Sequence, residues 1–142
     1  MTPFNSYLLI LVLTLALSQS SVVLSKYHVH IGSDLGEGLE LGIHCKSGDD
    51  DLGIHWLPYG TNFTWSFNIN LWGTTLFYCN FQWEHVTGHY NIFEAGRDRN
   101  RCCNACYDNC YWAAKQGGLY FYNYETKNYE LQYPWPMSMV KT

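Results

Sequence analysis

Phe77 to Glu84 reads FYCNFQWE, with Phe77, Cys79, Phe81 and Trp83 alternating with Tyr78, Asn80, Gln82 and Glu84. Successive side chains of a β-strand point to opposite faces, so an apolar residue at every second position marks a strand with one face buried. The same period runs outward in both directions. Tyr27, Val29 and Ile31 alternate with His28 and His30; Leu39, Leu41, Ile43 and Cys45 with Glu40, Gly42, His44 and Lys46; Phe63, Trp65, Phe67 and Ile69 with Asn62, Thr64, Ser66 and Asn68. No segment after residue 25 sustains a helical period behind a cap. The chain therefore reads as all-β, a sandwich of two antiparallel sheets, with Leu41, Ile43, Trp65, Phe67, Phe77, Phe81 and Trp112 in its interior.

The punctuation agrees with this reading. Residues 32–38, 46–53, 58–61 and 71–74 are rich in turn formers and space the strands as a sandwich or barrel requires. Tyr111-Trp-Ala-Ala114 and Leu119-Tyr-Phe-Tyr122 flank Lys115 to Gly118, a hairpin whose Gly117-Gly118 can adopt positive φ. A last strand, Tyr129 to Tyr133, runs into Pro134 and Pro136, which cannot donate to a ladder and so mark an edge or an end.

The first residues read as an address. Tyr7 to Leu17 is YLLILVLTLAL, with no charge before Lys26. This is shorter than the about 20 residues of a membrane span and suits the apolar region of a signal peptide. Ala16, Ser18, Ser20 and Ser25 offer small residues for cleavage after position 18, 20 or 25. The expected organisation is a signal peptide at 1–25 and one domain at 26–142, secreted and not inserted in a membrane. The net charge of −4 leaves no basic stripe to attract nucleic acid.

Six cysteines, Cys45, Cys79, Cys102, Cys103, Cys106 and Cys110, lie in the exported part. An even count in an oxidising compartment reads as three disulfides, their pairing open. Cys45, Cys79 and Cys110 fall in phase with inward residues, placed to staple one layer to another or to a covering loop. The other three sit in the polar stretch 94–109, which lacks the apolar spacing to order itself. Cys103-Asn-Ala-Cys106 has the spacing of half a zinc site but no matching pair, so no metal is expected. Asp49-Asp50-Asp51 lacks the spaced carboxylates of a calcium loop and suits a turn in which aspartates accept backbone N–H groups. His28 and His30 share a face, while His44, His55, His85 and His89 are scattered. No nucleophile stands in a recognisable setting, so neither catalysis nor a cofactor is expected.

Three features point to binding. Asn62-Phe-Thr64 is an N-glycosylation acceptor whose Asn and Thr are out of phase with the buried residues. Arg97, Arg99 and Arg101 put local positive charge into the loop 96–109 of an otherwise acidic chain, and exposed arginines there would suit contact with a cell-surface receptor protein. Tyr120, Tyr122 and Tyr124 would, if exposed, suit a protein partner or, in a lectin-like module, a carbohydrate. A secreted hydrolase is a further alternative with no motif behind it.

Four segments together resemble one family. HCKSGDDDLGIHWL (His44 to Leu57), Trp65-Ser-Phe67, GTTLFYCNFQW (Gly73 to Trp83) and Cys110-Tyr-Trp112 followed by GGLYFYN (Gly117 to Asn123) are similar, in order, to the signature segments of the plant self-incompatibility S-protein homologues. The resemblance implies a secreted, disulfide-bonded β-sandwich and a role as a cell–cell signal, the best-known members being pistil proteins recognised by a pollen-surface partner in rejection of self pollen. This chain departs from the family pattern at Gly117, where Asp is usual, and in carrying six cysteines where four are common.

Overall fold

The computed structural model describes residues 3–18, 26–104 and 107–137. The order of elements is α1 (Pro3–Ser18), β1 (Lys26–Ser33), β2 (Glu40–Lys46), β3 (Asp51–Pro58), β4 (Asn62–Asn68), β5 (Leu76–Trp83), β6 (Val86–Glu94), α2 (Ala95–Asp98), β7 (Cys103–Asn104), β8 (Tyr107–Lys115), β9 (Gly118–Asn123) and β10 (Asn128–Pro134). One sheet runs β10-β9-β8-β1-β4, with the two-residue β7 beside the start of β8; the other runs β3-β2-β5-β6. All neighbours are antiparallel except β1 and β8, which are parallel. Two strands so far apart in sequence can pair in that sense because the whole second sheet lies in the connection between them.

The alternation is realised strand by strand. Val29, Ile31, Leu41, Ile43, Phe77, Cys79, Phe81 and Trp112 are almost wholly buried, and Trp65 is nearly so. Phe67 is only partly covered, yet it joins the sheets, its ring centroid 4.6 Å from that of Phe77 and 4.7 Å from that of Phe93. Side chains of this size each contribute about 1.5–3 kcal/mol when removed from water. Past β10, Trp135 packs on Phe81 and Trp83 and donates its indole N–H to the Lys115 carbonyl at 2.6 Å. The β8–β9 hairpin needs only one of its two glycines in a special conformation. Gly118 has φ +151°, and a Cβ there would strike the Tyr133 carbonyl.

Two strands escape the sequence pattern. β3 is an edge strand that turns Ile54 and Trp56 to solvent and buries only Leu57, and it begins inside the stretch 46–53 expected to be turn. β6, the opposite edge, begins Val-Thr-Gly-His and shows no apolar period until Ile92 and Phe93. Neither strand has the inward alternation that betrayed its neighbours.

The described residues hold two disulfides, Cys45–Cys79 and Cys102–Cys110. The first corrects the expectation of a staple between layers or onto a loop. Cys45 and Cys79 face each other directly across β2 and β5, so the bond ties neighbours within one sheet. Cys102–Cys110 does fasten the covering segment after α2 to β8. Cys106 and the side chain of Cys103, candidates for a third bridge, lie outside the described residues.

Candidate recognition surface

Residues 94–102, whose composition alone does not promise order, are held together around a buried carboxylate. Asp98, at the end of α2, is fully buried. Its oxygens accept the Glu94 backbone N–H at 2.9 Å and a two-pronged contact from Arg97, Nε and Nη2 each at 2.9 Å. Arg101 Nη2 lies 2.8 Å away as an ion pair, without the alignment of a hydrogen bond. Arg97 reaches on to the Tyr133 hydroxyl and the Asn91 carbonyl; Arg101 reaches Gln132 and sits over Phe121, its Cζ 3.8 Å from the ring centroid. These contacts join β6, α2, β9 and β10 and so close one side of the sandwich. Burial pulls both guanidinium groups toward lower pKa. At Arg97 the bonds to Asp98 and Tyr133 outweigh it and the pKa rises, whereas at Arg101 burial prevails and it falls.

The arginines therefore divide. Arg97 and Arg101 are only 21% and 29% exposed at the side chain, which corrects the expectation that all three stand free in solvent. Both are paired with Asp98, and Arg97 also with Glu94 at 3.7 Å, partners that spacing alone did not reveal. Arg99 is exposed. Its carbonyl accepts the Tyr27 hydroxyl at 3.2 Å, and its guanidinium lies against Gly73.

Gly73 belongs to a loop that the sequence marked only as a turn. Between β4 and β5, Leu71 and Trp72 are 92% and 86% exposed. The loop that carries them is clasped by Asn70. Its backbone N–H donates to Thr75 Oγ1 at 2.8 Å, its Nδ2 to Thr74 Oγ1 at 2.9 Å, its Oδ1 accepts the Thr74 N–H at 2.8 Å, and its carbonyl accepts the Gly73 N–H at 3.1 Å. Gly73, at φ +66°, supplies the left-handed residue that closes the turn. A large indole beside a leucine and an arginine, on a backbone already fixed, has the composition and rigidity of an interface anchor. The signal available in sequence was Asn-Leu-Trp-Gly-Thr-Thr itself, in which two large apolar residues interrupt a polar turn.

The other candidates are structural in their surroundings. Asp51 accepts the Gly53 N–H at 2.9 Å and pairs with His44 Nε2 at 2.6 Å. The Gly53 bond first, and the His44 bond next, hold its carboxyl below the ordinary carboxylate range. Of the three aspartates in that run, it is Asp51 that takes the turn role expected of them; Asp49 and Asp50 offer their N–H groups to Ser47 Oγ. His30 has both ring nitrogens engaged, by Thr64 at 2.9 Å and Asn109 at 2.8 Å, and stacks on Tyr111. Among the described residues no cluster of three or more histidines, cysteines or carboxylates is arranged to hold a metal. The tyrosines form a partly exposed group on the outer face of the larger sheet. Tyr122 meets Tyr124 and Tyr129 edge to face, and Tyr124 donates to the Asn109 carbonyl at 2.7 Å. Burial first, then the neighbouring Tyr111, Tyr122 and Tyr129, push the Tyr124 phenol up to about 12. On the smaller sheet, Trp56 lies over Gly42, which leaves room for the indole, and with the exposed Ile54 it lines a groove of about 620 Å³.

A sequence profile described as plant self-incompatibility protein S1 matches residues 28–135. The chain belongs to that family. Among its S1-family relatives, S-protein homolog 2 of Arabidopsis thaliana is 39% identical over 118 residues, which is 81% of this chain and 71% of that one. Self-incompatibility protein S1 of Papaver rhoeas is 33% identical over 129 residues, 89% of this chain and 90% of that one. A solved self-incompatibility protein homologue, from a family described as small, highly stable, secreted proteins from plants, superimposes with a TM-score of 0.55 over 82% of this chain and 96% of its own. At 17% identity that likeness bears on the fold, which it shares. The S1-family match spans both sheets, the Asn70 loop and the Asp98 network.

Proposed function

We propose that this member of the self-incompatibility S1 family is exported, loses residues 1–25, and acts as an extracellular signalling ligand in cell–cell recognition, binding a cell-surface receptor protein. The observation that carries the reading is the rigid exposure of Trp72 and Leu71 beside Arg99. Exposing two large apolar side chains forgoes about 1.5–3 kcal/mol each of burial. A loop clasped by four hydrogen bonds cannot fold them away. Such a feature is useful when a partner supplies the burial. Export is supported by the helix α1, whose side chains from Asn5 to Ala16 are exposed rather than packed into the core, and by the secreted character of the described homologues. No helix among the described residues is long and apolar enough to cross a membrane.

Of the arginines, Arg99 is the one suited to the partner, while Arg97 and Arg101 hold the scaffold. Binding rather than catalysis fits a surface whose polar groups are committed to turns and to one another. The test is equilibrium binding of the fluorescently labelled mature protein to living plant cells, competed by unlabelled protein. Saturable binding that the folded competitor removes supports the reading. Binding that never saturates, or that reduced and unfolded protein displaces equally well, overturns it.

A further inference from the structure

We propose that Asn62 carries an N-linked glycan whose first sugars lie in a trough across the outer face of the larger sheet. The inference rests on the export proposed above, because the sugar is added in the secretory pathway. Asn62-Phe-Thr64 is the chain's one Asn-x-Ser/Thr sequence with x other than proline, and both Asn62 and Thr64 are exposed at the start of β4. The geometry beside Asn62 is what points to a seat for the sugar. In register across the sheet stand Asn62 on β4, Gly32 on β1 and Ala113 on β8. The floor next to the asparagine thus holds nothing larger than a methyl group.

Gly32 leaves the asparagine side chain its place. A Cβ would come within 2.5 Å of Asn62 Oδ1, so any side chain would displace the asparagine from its place at the head of the trough. One wall is aromatic: His30 stacks on Tyr111 with centroids 4.5 Å apart, and Tyr129 stands farther along. The other wall carries Asp34 and Lys115, paired at 3.7 Å. The open trough has a volume of about 440 Å³, within the range of pockets that take small molecules. N-acetylglucosamine has a C–H face for an aromatic wall and hydroxyl and amide groups for a charged one. Attachment at Asn62 makes the contact intramolecular, so weak contacts suffice to keep it occupied. The glycan thereby covers the tyrosine face and leaves the Trp72 tip as the open recognition surface.

The experiment uses protein secreted by plant cells in culture. Mass spectrometry should find Asn62 glycosylated in the medium and unmodified only in Asn62→Gln. In isotopically labelled protein, nuclear Overhauser contacts should connect the C–H faces of the first sugars to the Tyr111 and Tyr129 rings. In Tyr111→Ser those contacts should be lost while the glycan stays attached. Secreted protein with bare Asn62 overturns this inference and leaves the export reading standing; retention of the chain in the cytosol overturns both. A glycan whose resonances match those of the denatured glycopeptide, with no ring contacts, overturns the docking.

Discussion

Asp98 offers the sharpest test of how the scaffold is held. The carboxylate is fully buried and meets one backbone N–H and two guanidinium groups, so Asp98→Ala strands all three at once. Removing one member of a buried ion pair costs about 3–5 kcal/mol, because the remaining charge is left without compensation. The arginines are partly exposed, and water can re-solvate some of that charge, which favours the lower part of the range. One kcal/mol moves Tm by roughly 3–5 °C for a chain of this length, so a loss of about 3–4 kcal/mol lowers it by about 10–20 °C. Circular dichroism melts on wild type, Asp98→Ala, Arg101→Met and the double variant measure it. The double variant should lose less than the sum of the singles, since the pair interacts. A fall under about 3 °C, or strict additivity, would refute the idea that this network closes the sandwich.

Three further outcomes follow from the same contacts. Removing Cys45–Cys79, which closes a separation of 34 residues, should cost about 4 kcal/mol, against about 2.5 for Cys102–Cys110 with its separation of 8; urea titrations of the two double-serine variants should rank them in that order. Asp51 has a folded pKa below its ordinary 3.8, so its stabilisation is complete above that value and fades as pH falls through the lower one; Asp51→Asn should flatten the loss of Tm between about pH 5 and pH 2, and an unchanged slope would remove Asp51 from the account. Tyr124, raised to about 12 from 10.0, contributes stability that is complete below 10.0 and is lost as pH rises through about 12. In a spectrophotometric titration Tyr124→Phe should lack that late step.

The sheets were legible where burial imposes a period of two. β1, β2, β4 and β5 each alternate, and each places its apolar set inward. β3 and β6 were not legible, because an edge strand with a solvent-facing Trp56, or one opening on polar residues, carries no inward pattern. The site divides in the same way. The asparagine of the sequon and the arginine run were visible as residue types at a spacing. That Asp98 would pair with two of the three arginines was not, since the pairing depends on how α2 is set against β9 and β10. Nor was the Trp72 tip, whose meaning lies in the hydrogen bonds of Asn70, which no local pattern of polarity reveals.

The proposed role of Trp72 and Leu71, held outward for a partner, is probed by comparing the Leu71→Ala/Trp72→Ala double variant with wild type in the same cell-binding assay, alongside a thermal melt. The two side chains are 92% and 86% exposed, so Tm should move by less than about 3 °C, the surface substitution costing within about 0.5 kcal/mol. Binding should weaken at least about tenfold, which is about 1.4 kcal/mol. Undiminished binding by a variant that melts like wild type would contradict the account.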